Sequence, residues 1–266
     1  MPESSLERGI AVLRQFGRDR PRLGAADLGA ALGIPRSSLH RLLAEMVDLG
    51  LLRRDGDGRY ALDAGVLLLG HEFLASQDLV ALARPVLEVL SASTGWTTNL
   101  AVRQGASIIY LVRCRGEGAV TENVSVGAML PAHATLMGRV LLAGLGAAEV
   151  AALYENHVFG DRGDAVPASP QALMAQLDKD RAAECLTSDG YYETGLAVVA
   201  APVRERGDCL AAAINATRAG ATAAEVERVR AAVIEAANTI SALMGGSPGA
   251  RINSNGERAW PNIAAA

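Results

Sequence analysis

The stretch GIPRSSLHRLLAEMVDLG, residues 33–50, decides how the amino-terminal part of this chain is read. Gly33 closes one apolar-periodic segment, as glycine does where a helix must end in a left-handed conformation. Pro35 has the fixed backbone angle that suits the first turn of the next helix. Behind it Leu39, Leu42, Leu43, Met46 and Leu49 recur at helical spacing, which predicts a helix that buries Leu39, Leu42, Leu43 and Met46 and stops at Gly50. Arg36, Ser37, His40 and Arg41 then fall on the outer face, with Ser38 at its margin. A recognition helix presents donors in its first turns to base edges and phosphates in the major groove, and its free first-turn amides can hold a phosphate. Two serines capping an ordinary surface helix with solvated arginines would give the same local pattern.

The neighbouring segments favour the first reading. Ser4-x-x-Glu7 is a capping box, followed by Leu6, Ile10, Leu13 and Phe16 at helical spacing. Residues 25–32 form a second helix with Leu28 and Leu32 one turn apart. After Gly50, residues 51–54 and 59–62 read as strands joined by Asp55-Gly56-Asp57-Gly58, a hairpin signal. Three helices and a hairpin over residues 1–62 describe a winged helix-turn-helix, with Arg54 and Arg59 of the wing added to the candidate DNA contacts. Charge agrees. Residues 1–62 hold ten arginines against eight acids, whereas the rest of the chain carries 15 basic and 21 acidic residues. A mildly cationic head sits on an anionic body.

Residues 63–77 read as a linker helix with Val66, Leu69 and Phe73 on one face. Residues 78–93 form another helix, interrupted near Pro85. Strands are expected at 98–102 and 107–113, joined at Gln104-Gly105, and a third at 120–126. Helices follow at 136–145 and 147–154, then a loop over 157–169 and a helix from Ser169-Pro170 to Cys185. Strands 196–203 and 209–217 precede a capping box, Thr222-x-x-Glu225, whose helix runs to about Met244. Residues 246–266, rich in Gly, Ser, Asn and Ala, are expected to be disordered. The fold class is α+β. Residues 78–245 form a mixed antiparallel sheet covered on one face, and the irregular alternation of strands and helices argues against a doubly wound nucleotide binder.

Several function classes are set aside. Cys114, Cys185 and Cys209 have no paired spacing, and His40, His71, His133 and His157 have no metal-ligand spacing, so neither a disulfide framework nor a metal site is expected. Motifs of hydrolases, zinc proteases and phosphate loops are missing, so no enzymatic activity and no cofactor are expected. The segment Gly144-Leu145-Gly146-Ala147-Ala148 resembles part of a dinucleotide loop, but it follows a helix and reads as a helix terminus. The polar start MPESSLERGI is unlike a signal peptide, and the apolar runs are too short to span a bilayer. A cytoplasmic protein without membrane partners is expected.

Four ordered segments resemble the IclR family of bacterial transcriptional regulators: SLERGIAVLRQF, LGIPRSSLHRLLAEMVDLGLLRRD, VGAMLPAHATLMGRVLLAGL and SDGYYETGLAVVAAPV. The resemblance spans about residues 4–244. It implies an operator-binding winged helix, a linker helix and a GAF-like effector domain, in a homodimer or dimer of dimers that responds to a small metabolite. Carried to matching positions, the implied effector pocket is lined by Leu136, Met137, Asp189, Leu196, Val198, Asn215 and Thr217. Many members have cysteine or serine where this chain has Val198, and serines at Asn215 and Thr217. LPAHATLMGRVLLAGL and AAINAT look closer to members governing aromatic-acid catabolism, which implies an organic-acid effector. Amides at the start of the helix near Ala134 would suit a carboxylate, whereas Asp189 would repel one unless protonated or turned elsewhere. The apolar positions are equally consistent with a packed core, while Asn215 and Thr217 need partners if buried. His133 reads as a hydrogen-bonding residue at a helix start. The alternative function is a ligand sensor whose winged helix contacts protein instead of DNA.

Overall fold

In the computed structural model the first helix, α1 (Ser5–Leu13), starts where its capping box predicts: the Glu7 amide donates to Ser4 Oγ at 3.2 Å and the Ser4 amide to Glu7 Oε2. The structure describes residues 4–75, 78–116, 124–160, 166–189, 195–247, 249 and 252. They divide into two compact units, Met1–Gln77 and Asp78–Ala265.

In the first unit, α1, α2 (Ala25–Leu32) and α3 (Arg36–Asp48) enclose a core of Val12, Phe16, Leu28, Leu39, Leu43 and Met46. Gly33 adopts φ +63°, the left-handed turn that lets α3 leave α2 abruptly. Some apolar positions lie further out than their spacing predicts. Leu6 and Ile10 of α1 are exposed, because α1 turns Val12 inward and the chain just beyond it buries Phe16. On α3, Leu42 is half-buried and Leu49 exposed. The wing pairs β1 (Leu52–Arg54) with β2 (Tyr60–Leu62), Leu52 opposite Leu62, and Leu23 adds a bridge to Tyr60. The linker segment contains α4 (Gly65–Ala75), which buries none of its residues and exposes Leu67, Leu68, Leu69 and Phe73; residues 76 and 77 lie outside the described residues.

In the second unit, α5 (Asp78–Thr94) leads to a hairpin of β3 (Thr97–Gln104) and β4 (Ser107–Cys114). A short strand β5 (Met129–Pro131) and a 3-10 turn (Ala132–Ala134) precede α6 (Leu136–Ala143), α7 (Ala147–Tyr154) and α8 (Pro170–Asp180). Then come β6 (Leu186–Asp189), β7 (Leu196–Arg204), β8 (Leu210–Ala219) and α9 (Ala223–Leu243). The sheet order is β5-β4-β3-β8-β7-β6, and every pairing among these strands is antiparallel.

Both faces of this sheet are covered, not one. Thr98 Oγ1 donates to the Leu87 carbonyl of α5 at 2.9 Å, and the Arg204 amide to Ser241 Oγ of α9 at 3.0 Å. Because side chains alternate along a strand, Asn99 and Ala101 face the other way, where α6 packs on Ala101, Ile108, Tyr110, Val198, Ala200 and Ala213.

Other expectations are corrected. Pro85 lies inside a continuous α5: the apolar face through Leu79, Ala83, Leu87 and Leu90 outweighs one missing backbone bond. Of the strand expected at 120–126, residues 120–123 lie outside the described residues and 124–126 are coil and turn; β5 takes the edge instead. The helix expected to reach Cys185 stops at Asp180, and the polar segment Leu186–Asp189 is drawn into the sheet by pairing with β7. The tail does not come away at residue 246. The amides of Ser247, Gly249 and Ile252 donate to Asp208 Oδ1, Asn238 Oδ1 and the Ala183 carbonyl, and Ile252 is buried. Composition gives no sign of that apolar socket. Residues 253–266 lie outside the described residues. Among the described residues no single helix is long and apolar enough to cross a membrane.

Candidate functional sites

The first candidate surface is the start of α3. Pro35 occupies the N-cap without a side-chain hydrogen bond, and the first turn holds no acid. The first intrahelical bond runs from the Leu39 amide to the Pro35 carbonyl, so the amides of Arg36, Ser37 and Ser38 precede the helical ladder. By contrast α1, α2, α7 and α9 each begin with a carboxylate taking up an amide, and α6 and α8 with a hydroxyl. Arg36, Ser37, His40 and Arg41 are exposed and Ser38 is half-buried, as their spacing predicts. Arg41 lies 3.8 Å from Glu45, an exposed pair of little energetic weight that leaves the guanidinium available.

On the wing, Arg54 rests over the Tyr60 ring at 5.7 Å and Arg59 stands exposed ahead of β2. Not every wing cation is so placed. Asp55 lies 3.4 Å from both Arg22 and Arg53, and Asp57 lies 3.8 Å from Arg22. Free amides, forked guanidinium groups and hydroxyls on one convex helix are a phosphate- and base-reading set.

The second candidate surface is the α6-facing side of the sheet. Leu136 and Met137, the first residues of α6, are buried with Val198 in one apolar cluster, and Leu196 packs at its edge. Val198 pairs with Thr217, whose Oγ1 lies 3.4 Å from the Thr97 carbonyl. Asn215 is 5% exposed and accepts a hydrogen bond from Asn99 Nδ2 at 2.8 Å. Asp189, the last residue of β6, is paired with Ala197, one step from the Ser188–Val198 pair. The structure thus gathers Leu136, Met137, Leu196, Val198, Asn215 and Thr217 around one face. The Asp189–Ala197 pair alternates with Ser188–Val198 and takes a register position of the opposite face, so Asp189 is not brought together with the others.

The expected anion site at the start of α6 is altered: Thr135 Oγ1 accepts from the Gly138 amide at 3.0 Å, so that donor is spoken for. His133 sits in the 3-10 turn inside a ring of aromatics, with Tyr154, His157 and Phe159 at centroid distances of 5.7, 4.9 and 4.9 Å.

Two polar residues of this face were not anticipated. Asn99 is 2% exposed, and its Oδ1 has no hydrogen-bond partner. An unpaired buried acceptor costs about 1–3 kcal/mol. Arg113 is paired with Asn99 across β3 and β4, beyond a bulge at Leu100/Ala101, and is half-buried. Burial pushes its guanidinium pKa down, and the nearby charge of Arg115 adds to this. Strand alternation alone could have flagged Asn99 as inward-facing; the bulge hides the parity of Arg113.

A recognition-type helix with a wing, followed by a domain whose sheet holds a polar row within an apolar wall, defines a DNA-binding transcriptional regulator with a separate effector-binding domain. The chain belongs to the IclR family: the IclR helix-turn-helix domain matches residues 5–56, and the bacterial transcriptional regulator IclR C-terminal domain matches residues 71–242. It is 32% identical over 200 residues to the HTH-type transcriptional regulator XynR of Escherichia coli K12, covering 75% of this chain and 79% of that one. It is also 32% identical over 213 residues to the Pca regulon regulatory protein of Pseudomonas putida, covering 80% and 73%. An IclR homolog from Microbacterium hydrocarbonoxydans, solved in complex with 4-hydroxybenzoate, superposes with a TM-score of 0.77 at 29% identity, covering 91% of this chain and 99% of that chain. These relatives are described as transcriptional regulators or an IclR homolog, not as enzymes.

Proposed function

We propose that this regulator binds duplex operator DNA through Arg36, Ser37, Ser38, His40 and Arg41 of α3 and through Arg54 and Arg59 of the wing. A small organic acid, aromatic in the first instance, binds the α6-facing side of the sheet and changes operator affinity. The observation that carries the DNA reading is the uncapped, acid-free start of α3 with its exposed donors. The Pca regulon relative and the 4-hydroxybenzoate complex of a structural neighbour support the aromatic-acid reading. The protein works in the cytoplasm as a homodimer or dimer of dimers, since the apolar residues exposed on α4 suit a second copy and a two-fold operator requires one.

The effector acts through unequal affinity for the DNA-competent and incompetent arrangements, with a coupling of about 1–3 kcal/mol. The test is binding of the full chain to the DNA upstream of its own gene, measured against salt with and without 4-hydroxybenzoate. Neutralising Z phosphates gives a logarithmic slope of about −0.9Z. A flat salt response would favour a winged helix that contacts protein, and unchanged affinity with every acid tried would end the effector reading.

A further inference from the structure

The polar row on the α6-facing side of the sheet has a chemistry of its own. Arg113, Asn99 and Asn215 stand side by side on β4, β3 and β8, with Thr217 one step along β8. Around them the wall is apolar: Ala101, Tyr110, Leu136, Met137 and Val198. Cross-strand neighbours on one face have Cβ atoms about 5 Å apart, so a single small molecule can reach the adjacent Asn99 and Arg113 together. The Asn99–Asn215 bond leaves one polar atom of Asn99 unanswered in a residue only 2% exposed. Exchanging the oxygen and nitrogen of both amides keeps the bond and turns the unanswered atom from acceptor to donor. A ligand hydroxyl, which both donates and accepts, satisfies either arrangement.

We propose that Asn99 and Arg113 form the polar end of the effector site and that the effector is a hydroxy acid. Its hydroxyl bonds to the Asn99 amide, and its carboxylate lies against the Arg113 guanidinium. The inference rests on the effector reading above and adds to it two specificity-determining residues and a ligand class. A hydrogen-bonding site rejects an analogue lacking the hydroxyl because its own buried group is then left unpaired. The surrounding leucine, methionine and valine side chains accept the carbon skeleton, aromatic or aliphatic, with little preference.

The experiment is calorimetric titration of the full chain with 4-hydroxybenzoate and lactate, and with benzoate and propionate, which lack the hydroxyl. At least one hydroxy acid is expected to bind about tenfold or more tightly than its counterpart. Arg113→Met should weaken both members of that pair by about tenfold, as loss of a charge-assisted contact does. The double substitution Asn99→Val with Asn215→Val should bring the two members within about twofold of each other without lowering the melting temperature, since both partners of the bond are removed together.

Equal binding of both members to the unaltered protein would overturn the hydroxyl assignment, as would no binding by any of the four acids. The effector reading would then stand or fall on a broader metabolite panel. A bound acid whose affinity and preference survive both variants would place the effector elsewhere and overturn the proposal alone. A lowered melting temperature in the double variant would make the amide pair structural, which also counts against it, and Arg113→Met carries the test independently.

Discussion

Arg139 of α6 and Asp180 at the end of α8 form a two-pronged ion pair, Nε to Oδ2 at 2.8 Å and Nη2 to Oδ1 at 2.5 Å, with the two residues 8% and 3% exposed. Gln176 Nε2 donates to the same carboxylate at 3.0 Å. The pair ties the helix that carries Leu136 and Met137 to its outer neighbour. Removing the carboxylate takes away the buried counter-charge that faces Arg139, so Asp180→Ala should cost about 3–5 kcal/mol in urea unfolding. Arg139→Met with Asp180→Leu should cost much less. A loss under about 1 kcal/mol for the single change would mean that the pair is solvated like a surface one.

Gly65 opens α4 against the end of α3. Its amide donates to the Gly50 carbonyl at 3.1 Å, and a Cβ placed there would lie 2.3 Å from that oxygen. Gly65→Ala must therefore push the linker helix off the recognition helix. Overpacking of this kind costs about 1–3 kcal/mol, and the thermal unfolding of residues 1–77 expressed alone would register it. An unchanged melting temperature would show that the joint yields freely.

Arg36 is the first residue of α3 and is exposed. Arg36→Ala should weaken operator binding by about 1–3 kcal/mol and relax preference at one base pair if its fork meets a guanine. Gel-shift titration against single-base operator variants separates this from a phosphate contact. A phosphate contact would weaken every sequence alike and reduce the salt slope by about 1.

His157 stacks edge-on against His133 and Tyr154, each at 4.9 Å, and burial pushes its pKa below the ordinary 6.5. Well above pH 6.5 the ring is neutral in both states and pH has no effect through it. Below that value the unfolded chain takes up the proton first, so stability falls with pH until the folded ring protonates as well. Melting temperature should drop as pH goes from 6.5 towards the lower folded value, and His157→Phe should flatten that part of the curve. An identical curve for the variant would assign the slope to other groups.

Local signals carried the amino-terminal unit well. The capping box at Ser4, the glycine at 33, the proline at 35 and the Asp-Gly turn each act within a few residues, so their outcome is written in short stretches of chain. Even there, periodicity could not say which apolar stripe of α1 turns inward. Leu6 and Ile10 are spaced as a helix face requires, and only packing against α2 and α3 selects Val12 of the helix and Phe16 just beyond it instead.

In the second unit the balance shifts towards long-range pairing. Leu186–Asp189 is a strand because β7 offers it an edge, and Ser247, Gly249 and Ile252 are held because Asp208, Asn238 and Ala183 receive their amides. Likewise Asn99 meets Asn215 only because β3 lies between β4 and β8, an order that no spacing along the chain encodes.

The amino acids by themselves determined the helix-turn-helix, its outward arginines and the family, since helix periods, caps and tight turns are set by neighbours in sequence. The tertiary structure alone decided which polar side chains share the inner face of the sheet, and with it the chemistry a ligand would meet. That information resides in strand order and register, which follow from burying both faces of a sheet at once.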